Sequence, residues 1–407
     1  MNTFASGWRP RHQRGQAALL VVFLVGMVAA LLVYGMIDTT SAALRRDQNT
    51  AATMAEVKRA FIGWSVQRSD SPADARPGEL PCPDMNNDGF EDGASCGPGA
   101  IGRVPWKSLG IREPKDEAGE TLWYAIAGPF RIWTLNANPI NSDTKGNITV
   151  YRDSTAAVVS AEAVAVIFAP GATLGAQNRD SVATALCPTT GTTIARNLCA
   201  ANYLETAATV NNSTTNGPFI SAPGSETFND KVMVITTADL IPVVEMRVAR
   251  HMLALLQSYR TAGGNSCDCF TWGDNDFNNE GDDDVFRGWL PLNEGDPLDW
   301  GPDLGIAVPP WLNQNQWWKV VYYALAPIES QNKSGGTLTV DGASGTHVVL
   351  ITSGPTPPGA SRPVNAPGSA AYWAEYLQDA ENADHSNNVY VRPTSTTYVR
   401  NRLYTIP

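Results

Sequence analysis

Residues Arg14 to Ile37 read RGQAALLVVFLVGMVAALLVYGMI, and from Ala17 onward only glycines and Tyr34 interrupt an apolar run. A helix needs about 20 such residues to cross the hydrocarbon layer of a bilayer, so this run predicts a single membrane span. Arg9, Arg11 and Arg14 precede it, and no acidic residue occurs before Asp38. By the positive-inside rule the N-terminus is then expected in the cytoplasm of a single-pass inner-membrane protein, with the rest of the chain periplasmic. Ser41, Ala42 and Ala43 would suit a signal-cleavage site. A removed signal, however, has an apolar stretch of only about 7 to 15 residues, so the length favours a retained anchor.

Working outward, no proline follows the run until Pro72, and Met54, Val57, Phe61 and Trp64 recur at spacings of three and four. That period is one face of a helix, with Glu56, Lys58 and Arg59 on the other. One continuous helix from Gln16 to about Val66 would be about 75 Å long. The remaining composition is that of a folded protein: 407 residues, 43% hydrophobic and 17% charged. Disorder is excluded, and the length suits two or three domains. With 29 Lys+Arg against 40 Asp+Glu the net charge is -11, a field that repels nucleic acid.

The junction RHQRGQAALLVVF (Arg11–Phe23) resembles the leader of type IV pilins and type II secretion pseudopilins. The resemblance implies cutting between Gly15 and Gln16 by a prepilin peptidase, with methylation of the new N-terminus. Two departures stand out: Gln16 replaces the family's usual Phe, and Leu20 its usual Glu. The Glu implies a charge pair with a neighbouring subunit's amine, which Leu20 cannot make. That points to a minor or tip subunit rather than the main shaft subunit. GELPCPDMNNDG, GRVPWKSLGI and the run Asp116, Gly119, Leu122, Trp123, Tyr124 are similar to patches of large pilin-like proteins. The implied partners are other pilin or pseudopilin subunits through the spine helix, the peptidase and the membrane, with the heads extracellular once in a filament.

A search for internal repeats finds five patches in the same order twice. Gly102–Pro105 parallels Arg287–Pro291, and Leu122–Ile126 parallels Trp318–Leu325. Ile148–Val150 with Ala165–Ala172 parallels Leu338–Val340 with Val349–Thr356. Asn202–Glu205 parallels Glu375–Gln378, and Asn229–Ile235 parallels Arg400–Ile406. Between the copies, Leu240, Val244, Val248, Met252, Leu255 and Tyr259 predict a second helix, which Asp239 is expected to cap. The expected fold is therefore α+β: a basic leader (1–15), a transmembrane and spine helix (16–66), and two tandem pilin-like heads (67–235 and 236–407). Each head is expected to pack a helix on an antiparallel sheet.

Six cysteines suit an oxidising compartment. Near neighbours pair most simply as Cys82 with Cys96 and Cys187 with Cys199; Cys267 and Cys269 are left as thiols, a tight disulfide or a redox pair. Asp84, Asn86, Asp88, Gly89 and Asp92 read DxNxDGxxD, matching positions 1, 3, 5, 6 and 9 of an EF-hand loop, although Ser95 stands at the twelfth. Asp274, Asp276, Asn278, Glu280, Asp282 and Asp284 offer a weaker oxygen set with the same alternation. Calcium suits such sets better than magnesium, which demands stricter geometry. His12, His251, His347 and His385 fall in no recognisable catalytic pattern, and the nucleotide, zinc-protease and serine-hydrolase signatures are missing. The expectation is a non-enzymatic filament subunit. The rival is an anchored periplasmic carbohydrate-binding protein or hydrolase, with Trp311, Trp317 and Trp318 on its sugar surface.

Overall fold

The computed structural model describes residues 25, 27, 44–68, 76–93, 96–97, 99–131, 139–155, 157–357, 359, 361–362, 373, 375–384, 386–393 and 401–407. The chain divides into two compact units, Met1–Ala52 and Thr53–Pro407. Helix α1 covers 44–67, and its residues from Thr53 onward belong to the second unit.

The expected transmembrane and spine helix requires correction. Among the described residues, no helix is long and apolar enough to cross a membrane. Helix α1 carries Arg45, Arg46, Asp47, Glu56, Lys58 and Arg59, charges that a lipid interior would penalise heavily. Of the run Ala17–Ile37, only Val25 and Met27 are described. The α+β arrangement of a long spine carrying two pilin-like heads therefore gives way to a set of small sheets with three described helices. The single-pass inner-membrane placement falls with the span.

The first large sheet is antiparallel, in the order β1 (Ile101–Arg103), β2 (Trp123–Ile126), β5 (Ala165–Ala169), β11 (Lys231–Ile235). Every residue of β2 and β5 is buried, so both faces of the sheet must be covered. Strand alternation decides what covers each. Tyr124 stacks on Phe61 of α1 with ring centroids 4.2 Å apart, placing the buried stripe Met54, Val57, Phe61 on one face. Trp123 and Phe168, paired across β2 and β5, point the other way, to Tyr203 and to Phe219 at 5.1 and 4.9 Å. Phe219 lies in β10 (Phe219–Ile220), which runs parallel to β3 (Ile148–Tyr151); β4 (Val158–Ala163) completes this three-stranded sheet. Two hairpins, β6 (Thr184–Cys187) with β7 (Thr192–Ala195) and β8 (Thr206–Ala207) with β9 (Val210–Asn211), lie between β5 and β10 in the chain.

The second large sheet has the order β12 (Arg287–Trp289), β13 (Val321–Leu325), β16 (Val348–Thr352), β18 (Arg402–Ile406), again antiparallel. Its companion is β15 (Ala343–Thr346), β14 (Leu338–Val340), β17 (Val389–Tyr390), with β17 parallel to β14. Tyr322 faces that companion through Tyr390, as Phe168 faces its own through Phe219. A short helix, α3 (Pro310–Gln314), precedes β13.

Helix α2 (Thr237–Thr261) buries Leu240, Val244, Val248, Met252, Leu255 and Tyr259. Thr236, not Asp239, is its N-cap: the two form a capping box, each side chain accepting from the other's backbone N–H. Asp239 also pairs with Lys58 of α1 at 2.8 Å. On its buried side α2 carries Glu245, fully enclosed where the two large sheets' loops meet. Ser142 Oγ donates to Glu245 Oε1, and Arg362 lies close enough to interact with the carboxylate. Nearby, Ile140 N and Asn141 Nδ2 donate to the side chain and carbonyl of Asn315, both at 2.9 Å.

Burial pushes the Glu245 carboxyl from its ordinary 4.5 up to about 7, against the pull of Ser142, Thr352, Arg362 and the Gly354 backbone. The folded chain thus holds this proton more tightly than the unfolded chain. Its contribution is fully present below about 4.5 and is lost as pH rises through about 7. We expect Glu245→Gln to flatten the fall in melting temperature between those limits, gaining up to about 3 kcal/mol over wild type at the alkaline end. Overlaid pH profiles for the two proteins would rule this out.

Candidate functional site: paired acidic loops

Each large sheet begins with an acidic loop hooked onto its first strand. Asp84 forms an antiparallel bridge with Arg103 of β1, and Asp274 forms the same bridge with Trp289 of β12. Close approach there requires glycine. A Cβ on Gly102 would lie 2.7 Å from the Asp84 carbonyl oxygen, and one on Gly288 would lie 2.0 Å from that of Asp274.

Within the loops the leading carboxylate organises the turn. Asp84 Oδ1 accepts from the backbone N–H of Asn87 and Asp88 at 2.6 and 3.2 Å, and Oδ2 accepts from Gly89 at 2.7 Å. Asp274 Oδ1 accepts from Asp276 and Phe277 at 3.0 and 2.8 Å, and Oδ2 from Asn279 at 2.7 Å. The positive-φ positions correspond as well: Asn87 and Gly89 in one loop, Phe277 and Asn279 in the other. Asp92 then accepts from Met85 N, and Asp282 from Asn275 N. A Trp–Lys pair sits over each loop. Lys107 lies 5.1 Å from the Trp106 ring, and Lys319 lies 5.1 Å from that of Trp318.

The loops differ in what they assemble. In the second, one carboxylate oxygen each from Asp274, Asp276 and Asp282 come within 4.8 Å of one another, a spacing able to hold a metal ion. Glu280 is not among the three carboxylates of this group; Asn278 Oδ1 accepts from Glu280 N at 2.8 Å. In the first, Asp88 Oδ1 accepts from Phe90 N, and Asn86 Nδ2 donates to Asp92 Oδ1 at 3.0 Å. Asp84, Asn86, Asp88 and Asp92 are thus gathered by one turn, held between the half-cystines of Cys82–Cys96. Burial raises Asp84 above its ordinary value and pushes Asp274 up to about 6. Asp296, which sequence reading passed over, also rises to about 6 through burial and the nearby Asp283, Asp282 and Asp299. Only its two acidic neighbours in the chain pattern, Glu294 and Asp299, hint at it.

Two further disulfides join Cys187 to Cys199 and Cys267 to Cys269. Gly15, Gln16 and His12 lie outside the described residues, as do Ser95 and His385. His251 packs edge-on against Trp311, and His347 Nδ1 lies 3.4 Å from Glu329. Trp311, Trp317 and Trp318 are buried, so they form no exposed sugar platform. Comparison of the chain with protein-family models, curated proteins and solved structures finds no match.

The glycine contacts are directly testable. Gly288→Ala is expected to cost several kcal/mol, on the order of 2–4, because backbone rather than a flexible side chain must yield. Gly110→Ala, where no atom lies within 4 Å of the added Cβ, sits at positive φ and should cost only about 1 kcal/mol. Chemical denaturation of both variants measures the contrast, and equal losses would contradict the close-approach argument.

Proposed function

We propose that this chain is a non-enzymatic subunit of a type IV pilus or type II secretion filament, in a minor or tip position. The observation that carries the reading is the packing of the helix that follows the apolar run. Met54, Val57 and Phe61 of α1 lie on the antiparallel sheet β1-β2-β5-β11, with Phe61 stacked on Tyr124. The leader-like junction at Gly15 and Gln16 supports it from the sequence. Other pilin or pseudopilin subunits are the proposed partners, with a prepilin peptidase as the processing enzyme. Leu20, which cannot pair with a neighbour's amine, is the reason for the minor or tip position.

Calcium is proposed as a structural ion of the acidic loops. The support is the triplet Asp274, Asp276, Asp282 and the matching turn built on Asp84. Bound there, a divalent cation would offset carboxylates that burial otherwise disfavours, and would stiffen the loop against β12.

Two measurements test the proposal. Mass spectrometry of the mature protein from its native host should show a methylated N-terminus at Gln16; an intact Met1, or a start near Ala43, removes the filament reading. Millimolar Ca²⁺ should raise the melting temperature by several degrees, an effect expected to vanish in Asp276→Asn with Asp282→Asn. An unchanged melt in the wild-type protein would discard the ion.

A further inference from the structure

Where the loops of the two large sheets meet, they line a half-open cavity of about 420 Å³, within the range of small-ligand pockets. Its wall combines aromatic faces, Phe277 and Tyr376, with polar groups that converge from both sheets. Most of the charge lining it is already matched. Arg362 NH1 lies 2.8 Å from Asp143 Oδ1, Tyr376 donates to Asp143 Oδ2, and Lys145 pairs with Glu162 at 3.1 Å.

Lys319 is the exception. Its ammonium lies 4.9 Å from the centre of the Phe277 ring and 5.1 Å from that of Trp318, with no carboxylate in ion-pairing range among the described residues. Partial burial lowers its affinity for a proton, because the charged form loses hydration. Lys107, at the same place in the first sheet, instead donates to the Asp88 carbonyl. Lys319 thus stays over its loop through the Phe277 ring but, among the described residues, makes no counterpart of that hydrogen bond. Arg362, by contrast, is spent on the protein, its NH1 on Asp143 and Ser353 and its NH2 on the Ser353 carbonyl. Gln316, held at a left-handed φ of 53°, contributes an amide to the same wall.

We propose that this cavity binds a small organic anion of about monosaccharide size, its charge on the Lys319 ammonium and its body against Phe277 and Tyr376. A carboxylate and a phosphate ester share the required chemistry, since a lysine acts as a compact point charge toward either. Aromatic walls favour a ligand with a ring or apolar face over a bare ion. The proposal does not rest on the filament reading or on calcium binding, although Phe277 belongs to the acidic loop that begins at Asp274.

Calorimetric titration of the full chain with glucuronate, glucose 6-phosphate, glucose and inorganic phosphate tests it. At least one of the two organic anions should bind, with glucose and inorganic phosphate each at least about tenfold weaker, and raised salt should weaken the binding. Lys319→Met should cost about tenfold in affinity, whereas Lys319→Arg and the counterpart Lys107→Met should retain it. Absence of binding by both organic anions overturns the proposal. So does glucose or inorganic phosphate binding as tightly as they do, or full affinity in Lys319→Met. Should Lys319→Met fail to fold, the wild-type ranking of the four probes and its salt dependence decide alone.

Discussion

Strands β2, β5, β13 and β16 are buried at every residue, and that single condition organises the rest of the chain. A strand with two apolar faces needs cover on both, and a four-stranded sheet is too small to supply it by curling on itself. One face of the first sheet takes α1, through Phe61 and Tyr124. The opposite face takes a lesser sheet, through Phe168 and Phe219. The second sheet repeats the solution with Tyr322 and Tyr390 on the side of its own lesser sheet. Each of those contacts buries an aromatic ring, the side-chain class with the most area to remove from water.

Joining two such assemblies brings polar loops into a dry place. Glu245 is the sharpest case, a carboxyl with no exposure, met by Ser142 from one assembly and by Arg362 from the other. Around it, Asn141, Asn315, Asp143 and Arg362 exchange hydrogen bonds across the same boundary. Buried polar groups of this kind add little net stability but penalise every misaligned arrangement, because each unmet partner carries the cost of desolvation. The boundary is thus held in one register by polar matching.

Periodicity made some of this readable in advance. The stripe Met54, Val57, Phe61 and the six apolar positions of α2 are all buried, since a helix face is written locally at spacings of three and four. Four of the five paired words overlap matching strands, among them Leu122–Ile126 around β2 with Trp318–Leu325 around β13, and Asn229–Ile235 over β11 with Arg400–Ile406 over β18; Asn202–Glu205 and Glu375–Gln378 lie in no strand. Aspartates at alternate positions announced the two turns. Other features were hidden because they depend on long-range encounter. Nothing near Glu245 in sequence signals Ser142, 103 residues away, and Lys319 differs from Lys107 only in what the fold brings to it. The membrane placement rested on the run Ala17–Ile37, of which only Val25 and Met27 are described, and among the described residues no helix is long and apolar enough to cross a bilayer. The second loop also shows the limit of spacing rules, for Asp282 joins Asp274 and Asp276 while Glu280 does not.

Helix α2 touches more than the sheet it precedes. Its Asp239 holds Lys58 of α1, its Glu245 accepts from Ser142, and the helix packs on β16 and β18. One helix is thus fastened to elements of both large-sheet assemblies, and neither can shed it without losing contacts. Cutting the chain at this joint would disturb two packed structures at once, as befits a stretch that forms a single compact unit from Thr53 to Pro407.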